Sequence, residues 1–181
     1  TITFSIIALK YEGGGILDEM SKAKPLVVIN VVGLTHSMLG KNTPNISALA
    51  ATGFSRPLHT VFPAVTCSVQ SSLLTGLQPS EHGIVGNGWY DRELAEVFFW
   101  RQSNRLVQGE RIYDAGRKVD PSYTTAKMFW WYNMYADVDY SVTPRPTYPA
   151  DGRKVFDSYS QPTTLKDSLQ DRLGTFPLMK F

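Results

Sequence analysis

Leu26-Val27-Val28-Ile29-Asn30-Val31-Val32, leaving through Gly33, is the stretch on which the fold turns. It is a β-branched run with no polar alternation, as a strand covered on both faces requires, and it predicts a central strand of a parallel sheet. Thr43-Pro44-Asn45 then supplies a helix start, with a hydroxyl at the cap and proline in the first turn. Ile46, Leu49 and Ala50 share one face of that helix, and Gly53 is its stop. Residues 57–61 lead toward a second strand that Phe62-Pro63 breaks, and residues 67–75 have helical character ended by Gly76. Residues 124–130 and 138–142 read as strands. Residues 164–173 read as an amphipathic helix, with Leu165, Leu169 and Leu173 on one stripe. The class is α/β, with helices flanking a mostly parallel sheet.

A chain of 181 residues suits one domain with a real core. Its 43% hydrophobic and 19% charged residues, without repeats, exclude collagen, coiled coil and general disorder. The formal charge is only +2 and the basic residues form no dense run, so no nucleic-acid footprint is expected; a small molecule is the expected partner. Cys67 stands alone, which excludes an intrachain disulfide and a cysteine-based zinc cluster and suggests a reducing compartment. No apolar run approaches the roughly 18 residues of a membrane span. Residues 2–9 are broken by Thr3 and Ser5 with no basic residue before them, a poor signal peptide, so a cytoplasmic location is expected. Met20 precedes the short polar lead Ser21-Lys22-Ala23-Lys24-Pro25 and reads as a start, making residues 1–19 either upstream read-through or a poorly ordered extension. The other reading of that segment is an edge strand over residues 2–9. The sequence carries no signal of an oligomeric state.

Open α/β sheets place ligands at the carboxyl ends of strands, in loops that lead into helices. Two loops qualify, residues 30–35 and residues 62–68. In the second, Thr66 stands at a helix N-terminus, where a hydroxyl either caps its own helix or faces an anion held by free N–H groups and the helix dipole.

The segment from Phe62 reads Phe-Pro-Ala-Val-Thr-Cys-Ser-Val-Gln-Ser-Ser-Leu-Leu-Thr-Gly-Leu-Gln-Pro-Ser-Glu-His-Gly-Ile-Val-Gly-Asn, ending at Asn87. It resembles the nucleophile region of the type I phosphodiesterase and nucleotide pyrophosphatase family, within the alkaline phosphatase superfamily. That family's pattern is Phe-Pro, two residues, Thr, then Thr-Gly-Leu-x-Pro-x-x-His-Gly-Ile, then Asn, and the spacing agrees without a gap. Weaker resemblance continues through Ile112-Tyr113-Asp114-Ala115, Phe129-Trp130 and the prolines near Tyr148. The resemblance implies an alkaline-phosphatase-like three-layer sandwich around a mostly parallel sheet, incomplete at its C-terminus, with residues 20–181 as the N-terminal part of the catalytic domain. It implies a metal-dependent hydrolase of phosphodiester or pyrophosphate bonds, acting on a small phosphodiester or nucleotide. Thr66 would be the nucleophile and a metal ligand, because a threonine hydroxyl is a poor nucleophile until a dication favours its alkoxide. Two divalent ions, zinc in the family, would serve. Asn87 would donate its amide to a non-bridging phosphate oxygen; its other reading is a turn residue between Gly86 and Gly88.

The superfamily's first metal ligand is an aspartate at the end of the opening strand, and here that place holds Asn30. Its neutral oxygen could still face a metal, more weakly than a carboxylate, or it could simply bond the backbone at the strand end. The family's later Asp and His ligands have no counterpart, since no histidine follows His82. That departure suggests the N-terminal piece of a longer protein, or a non-catalytic phosphate-binding relative. His82 is expected to fix its loop by hydrogen bonding rather than to bind zinc; His36 and His59 are isolated, and Cys67 reads as packing. Phe129, Trp130, Trp131, Tyr132, Tyr135 and Tyr140 offer faces for a nucleobase, with burial as the other reading. Trp89-Tyr90-Asp91 could reach the site from a neighbouring loop, and Arg101 could meet a phosphate. The run Gly83-Ile84-Val85-Gly86-Asn87-Gly88 invites a dinucleotide reading, but it is reversed from that fingerprint and does not follow the opening strand.

Overall fold

The structure, a computed structural model, describes residues 26–175. The expected extension over residues 1–19, with its alternative edge strand, lies outside them. The described chain divides after Val65 into two compact units.

In the first unit residues 26–31 have no regular secondary structure and Val32 enters a turn, so the run forms no strand. Leu26, Val27, Ile29 and Val32 are all exposed. The central parallel strand expected here is therefore not present among the described residues. A both-faces-buried strand needs a neighbour on each edge to take its N–H and C=O groups, and no described segment pairs with this one. Residues 57–61 are likewise unpaired and form no strand. The helix signal holds: α1 runs Pro44–Ala51 with proline in its first turn. Thr43 does not cap it with its side chain. The hydroxyl accepts from the Gly40 N–H at 3.0 Å and donates to the Met38 carbonyl at 2.8 Å, bracing the preceding turn instead.

The second unit opens directly into α2, Thr66–Thr75, which ends at Gly76 in the left-handed region, φ 72°. A short helix α3, Pro79–His82, leads to an antiparallel hairpin of β1, Gly88–Asp91, and β2, Glu96–Phe99. Gly88 lies opposite Phe99, and a Cβ built on it would sit 2.6 Å from the Phe99 ring and 2.8 Å from the Phe98 carbonyl. Only glycine fits there. Helix α4, Ile112–Val119, precedes a three-stranded sheet of β3, Ala126–Met128, β4, Tyr140–Pro144, and β5, Ser158–Gln161, closed by α5, Thr164–Leu173.

The sheet corrects the expectation of a mostly parallel array. β3 and β4 are parallel, with Met128 opposite Val142, whereas β4 and β5 are antiparallel. The other described sheet is the hairpin alone. The parallel pair is joined by an irregular loop in place of the usual helix, because Phe129, Tyr132 and Tyr135 take φ of 62°, 60° and 61° and turn the chain repeatedly. The first of these ends β3 at Met128, short of Trp130. β4 starts later than expected because Val138 is drawn into a cluster with Tyr113 and Ala136. The Asp139 carboxylate meanwhile accepts from the Thr125 N–H at 2.7 Å and from Arg117 at 2.6 Å. Arg117 also reaches Asp137, tying α4 to the segment before β4. The main core gathers Cys67, Ile84, Val107 and Tyr132, with Trp89, Trp100 and Trp131 packed against it. Among the described residues no helix is long and apolar enough to cross a membrane.

Candidate active site

Helix α2 begins at Thr66 and is covered on all sides over its first turns: Cys67, Ser68, Val69, Gln70 and Ser71 are all buried. Thr66 itself stays half-buried, and its hydroxyl makes no hydrogen bond among the described residues. The first N–H groups of a helix have no partner within it and carry the positive end of its dipole. One of them is spoken for. The Cys67 N–H donates to Asn87 Oδ1 at 2.9 Å.

That bond brings together the two residues singled out from the sequence, although they are far apart in the chain. It also settles which end of the Asn87 amide is committed. The oxygen is held by the main chain, and the NH2 group has no partner among the described residues, leaving two N–H bonds to aim at an anion. Asn87 is itself fixed from behind, its carbonyl accepting from the Trp100 N–H at 2.9 Å. A hydroxyl without a partner and an amide with free donors thus stand on either side of one peptide unit, at the positive end of a helix.

His82 holds the loop between them. It is fully buried; its Nδ1 accepts from the Ile84 N–H at 3.1 Å, which leaves Nε2 to donate to Ser72 Oγ at 2.9 Å. Burial lowers its pKa below the ordinary imidazole value, so the neutral ring is favoured. With both nitrogens engaged the ring ties α3 to α2 and has no lone pair to offer a metal. His82→Ala is expected to cost about 2–4 kcal/mol in urea unfolding, since it opens a cavity and strands the Ile84 N–H. A loss below about 0.5 kcal/mol would show that the pair contributes nothing.

Cys67 points into the core, where burial pushes its thiol up to about 11 while the neighbouring Tyr132 hydroxyl pulls weakly the other way. It is packing, with no thiolate at neutral pH. The aromatic candidates divide: Tyr132 is core, Trp131 packs on the core, and Tyr135 and Tyr140 are exposed. Arg105 rather than a ligand covers the Tyr135 ring, at 4.5 Å. Arg101 is paired with Glu96 at 2.6 Å. Asn30 belongs to the first unit, where its carboxamide has no partner among the described residues. The Gly83–Gly88 run follows α3 and enters β1, so it does not open a helix after a strand, as a dinucleotide loop must.

Lys127 went unnoticed in the sequence. It lies on β3, almost wholly buried, with its Nζ donating to the Tyr132 carbonyl at 3.0 Å and facing the Tyr113 ring. A lysine in a short strand reads as outward-facing, and no residue beside it signals otherwise.

Among the described residues no group of three or more His, Cys, Asp or Glu side chains could hold a metal ion. The donors named from the sequence do not fit the two-cation centre that the resemblance implies: Thr66 offers a hydroxyl and Asn30, in the other unit, a neutral carboxamide, and neither is a carboxylate or an imidazole.

The family model for type I phosphodiesterase / nucleotide pyrophosphatase matches residues 26–177. Alkaline phosphatase PafA of Elizabethkingia meningoseptica is 43% identical over 57 residues, which take in 26% of this chain and 10% of that relative. The match therefore spans a small part of the relative's length.

Proposed function

The chain belongs to the type I phosphodiesterase / nucleotide pyrophosphatase family, and from that premise we propose that it carries the nucleophile and the oxyanion-binding amide of a hydrolase of phosphodiester or pyrophosphate bonds. The observation that carries this reading is the hydrogen bond from the Cys67 N–H to Asn87 Oδ1, which ties the Asn87 amide to the residue next to Thr66 and leaves its NH2 group without a partner among the described residues. Thr66 Oγ1 forms the bond to phosphorus while the bond to the leaving oxygen breaks on the opposite side, giving a phosphorylated threonine that water later cleaves. Charge grows on the non-bridging oxygens as this happens. In this reading the Asn87 N–H bonds and the dipole of α2 meet that charge.

The hydroxyl must also lose its proton, and no His, Asp or Glu among the described residues is bonded to Thr66. Two divalent cations, zinc by the family resemblance, supply that activation in the family, and no group of three or more His, Cys, Asp or Glu side chains among the described residues would hold one. The substrate is a small phosphodiester or nucleotide. A second reading, a phosphate-binding relative without turnover, is favoured by one observation: Asn30 stands where the family pattern has an aspartate.

A trapping experiment separates the two. The whole gene product, supplied with zinc, is mixed with bis(4-nitrophenyl) phosphate, quenched in acid and digested. The expected result is a nitrophenyl phosphate adduct on the peptide bearing Thr66, together with a burst of nitrophenolate equal to the enzyme. Turnover with the adduct on another residue overturns the assignment of Thr66. Phosphate binding with neither adduct nor burst establishes the second reading.

A further inference from the structure

A cavity of about 570 Å³ lies beside β2 and the segment that follows it, walled by Phe98, Phe99, Trp100 and Arg101 and reached by Arg145 from the end of β4. Its aromatic wall is built and held. The Trp100 ring meets Phe99 edge-on at 5.5 Å and Trp131 at 4.8 Å, and its backbone is kept at φ 50° with the N–H on the Asn87 carbonyl. A left-handed tryptophan costs about 1–2 kcal/mol relative to an ordinary conformation, so surrounding contacts must hold this ring in place.

The charges at the rim are unbalanced. Arg101 holds its guanidinium carbon over the Phe98 ring, 4.3 Å from the centroid, and spends one amino group on Glu96, while its Nε is buried without a partner among the described residues. Arg145 is exposed, and its guanidinium makes no ion pair among the described residues. Glu96, the carboxylate in the lining, is already committed to Arg101. One cationic fork is therefore left facing a pocket of aromatic faces, a combination that suits a flat ring bearing an anionic group.

We propose that this cavity binds a planar aromatic molecule carrying a carboxylate or phosphate, its ring against Trp100 and the exposed Phe99 and its anion on Arg145. The site stands independently of whether Thr66 is a nucleophile, although the Trp100 N–H joins its wall to Asn87.

The test uses the full 181-residue chain and the indole N–H resonances of its tryptophans, with the Trp100 signal identified by its disappearance in Trp100→Phe. 2-Naphthoate is expected to move that signal saturably, and neutral 2-naphthamide to bind about tenfold more weakly, the loss of one charge-assisted contact. Arg145→Gln, an exposed change that leaves the remaining resonances in place, is expected to remove the preference for the acid. Equal affinity for acid and amide overturns the proposal, as does a preference that survives Arg145→Gln. Inorganic phosphate binding as tightly as the naphthoate overturns the role of the ring.

Discussion

Thr66→Ala is expected to lower hydrolysis of bis(4-nitrophenyl) phosphate by the zinc-supplied whole gene product at least about a thousandfold, some 4 kcal/mol of transition-state stabilisation. The size follows from chemistry. Alanine has no atom to bond phosphorus, so the two-step route through a covalent intermediate is closed, and only direct attack by water remains. The variant should nevertheless fold normally, since the hydroxyl it removes is half-buried and makes no hydrogen bond among the described residues. Its stability is expected to change by less than about 1 kcal/mol. Thr66→Ser keeps the oxygen and is expected to retain activity within about tenfold of the parent, the allowance for a looser rotamer. A Thr66→Ala protein that unfolds like the parent and turns over within about tenfold of it would remove the nucleophile from this residue.

Lys127→Met is expected to abolish a rise in stability between pH 7 and pH 9. Burial is the first cause acting on this amine, with repulsion from Arg111 next and only partial relief from Asp114, and together they depress its pKa from 10.5 to about 7. In the unfolded chain the same amine titrates near 10.5. Between those values the unfolded state binds more protons than the folded one, so stability climbs as pH rises. The gain is about 2 kcal/mol from pH 7 to pH 9, and above pH 9 the raised pKa of Cys67 begins to act in the opposite sense. Methionine fills similar space without an amine to neutralise, so its unfolding free energy should be flat across the window and higher than the parent's at pH 7. Urea titrations at three pH values measure this directly. A parent slope that persists in Lys127→Met would assign the pH dependence to another group.

The elements legible in the sequence were those specified by local chemistry. Thr43-Pro44 marked the start of α1, Gly76 the end of α2, and the leucine stripe the span of α5. Failures came where distant pairing decides. Residues 26–32 have the composition of a buried strand, but a strand exists only with a ladder beside it, and no run of valines names its partner. The hairpin of β1 and β2 escaped notice because its turn has no Asn-Gly or Asp-Gly pair. Asp91 builds it instead by accepting from the N–H groups of Glu93 and Leu94, and Ala95 supplies the left-handed residue at φ 51°. At the site, the spacing from Thr66 to Asn87 was visible, whereas the bond that makes them neighbours was not. Lys127 and Arg145 were hidden for a plainer reason: whether a cation is buried or left unpaired depends on residues from several elements.

The anchor of Asn87 is a main-chain N–H, and this has an evolutionary corollary. Holding Asn87 asks nothing of the side chain at position 67, because nineteen of the genetically encoded choices supply the same donor. Proline is the exception, having none. What restricts the choice is the core, where Cys67 is fully buried. A small apolar replacement that fits the same space would therefore inherit the arrangement intact, whereas a larger or charged one would fail through packing rather than through loss of the donor.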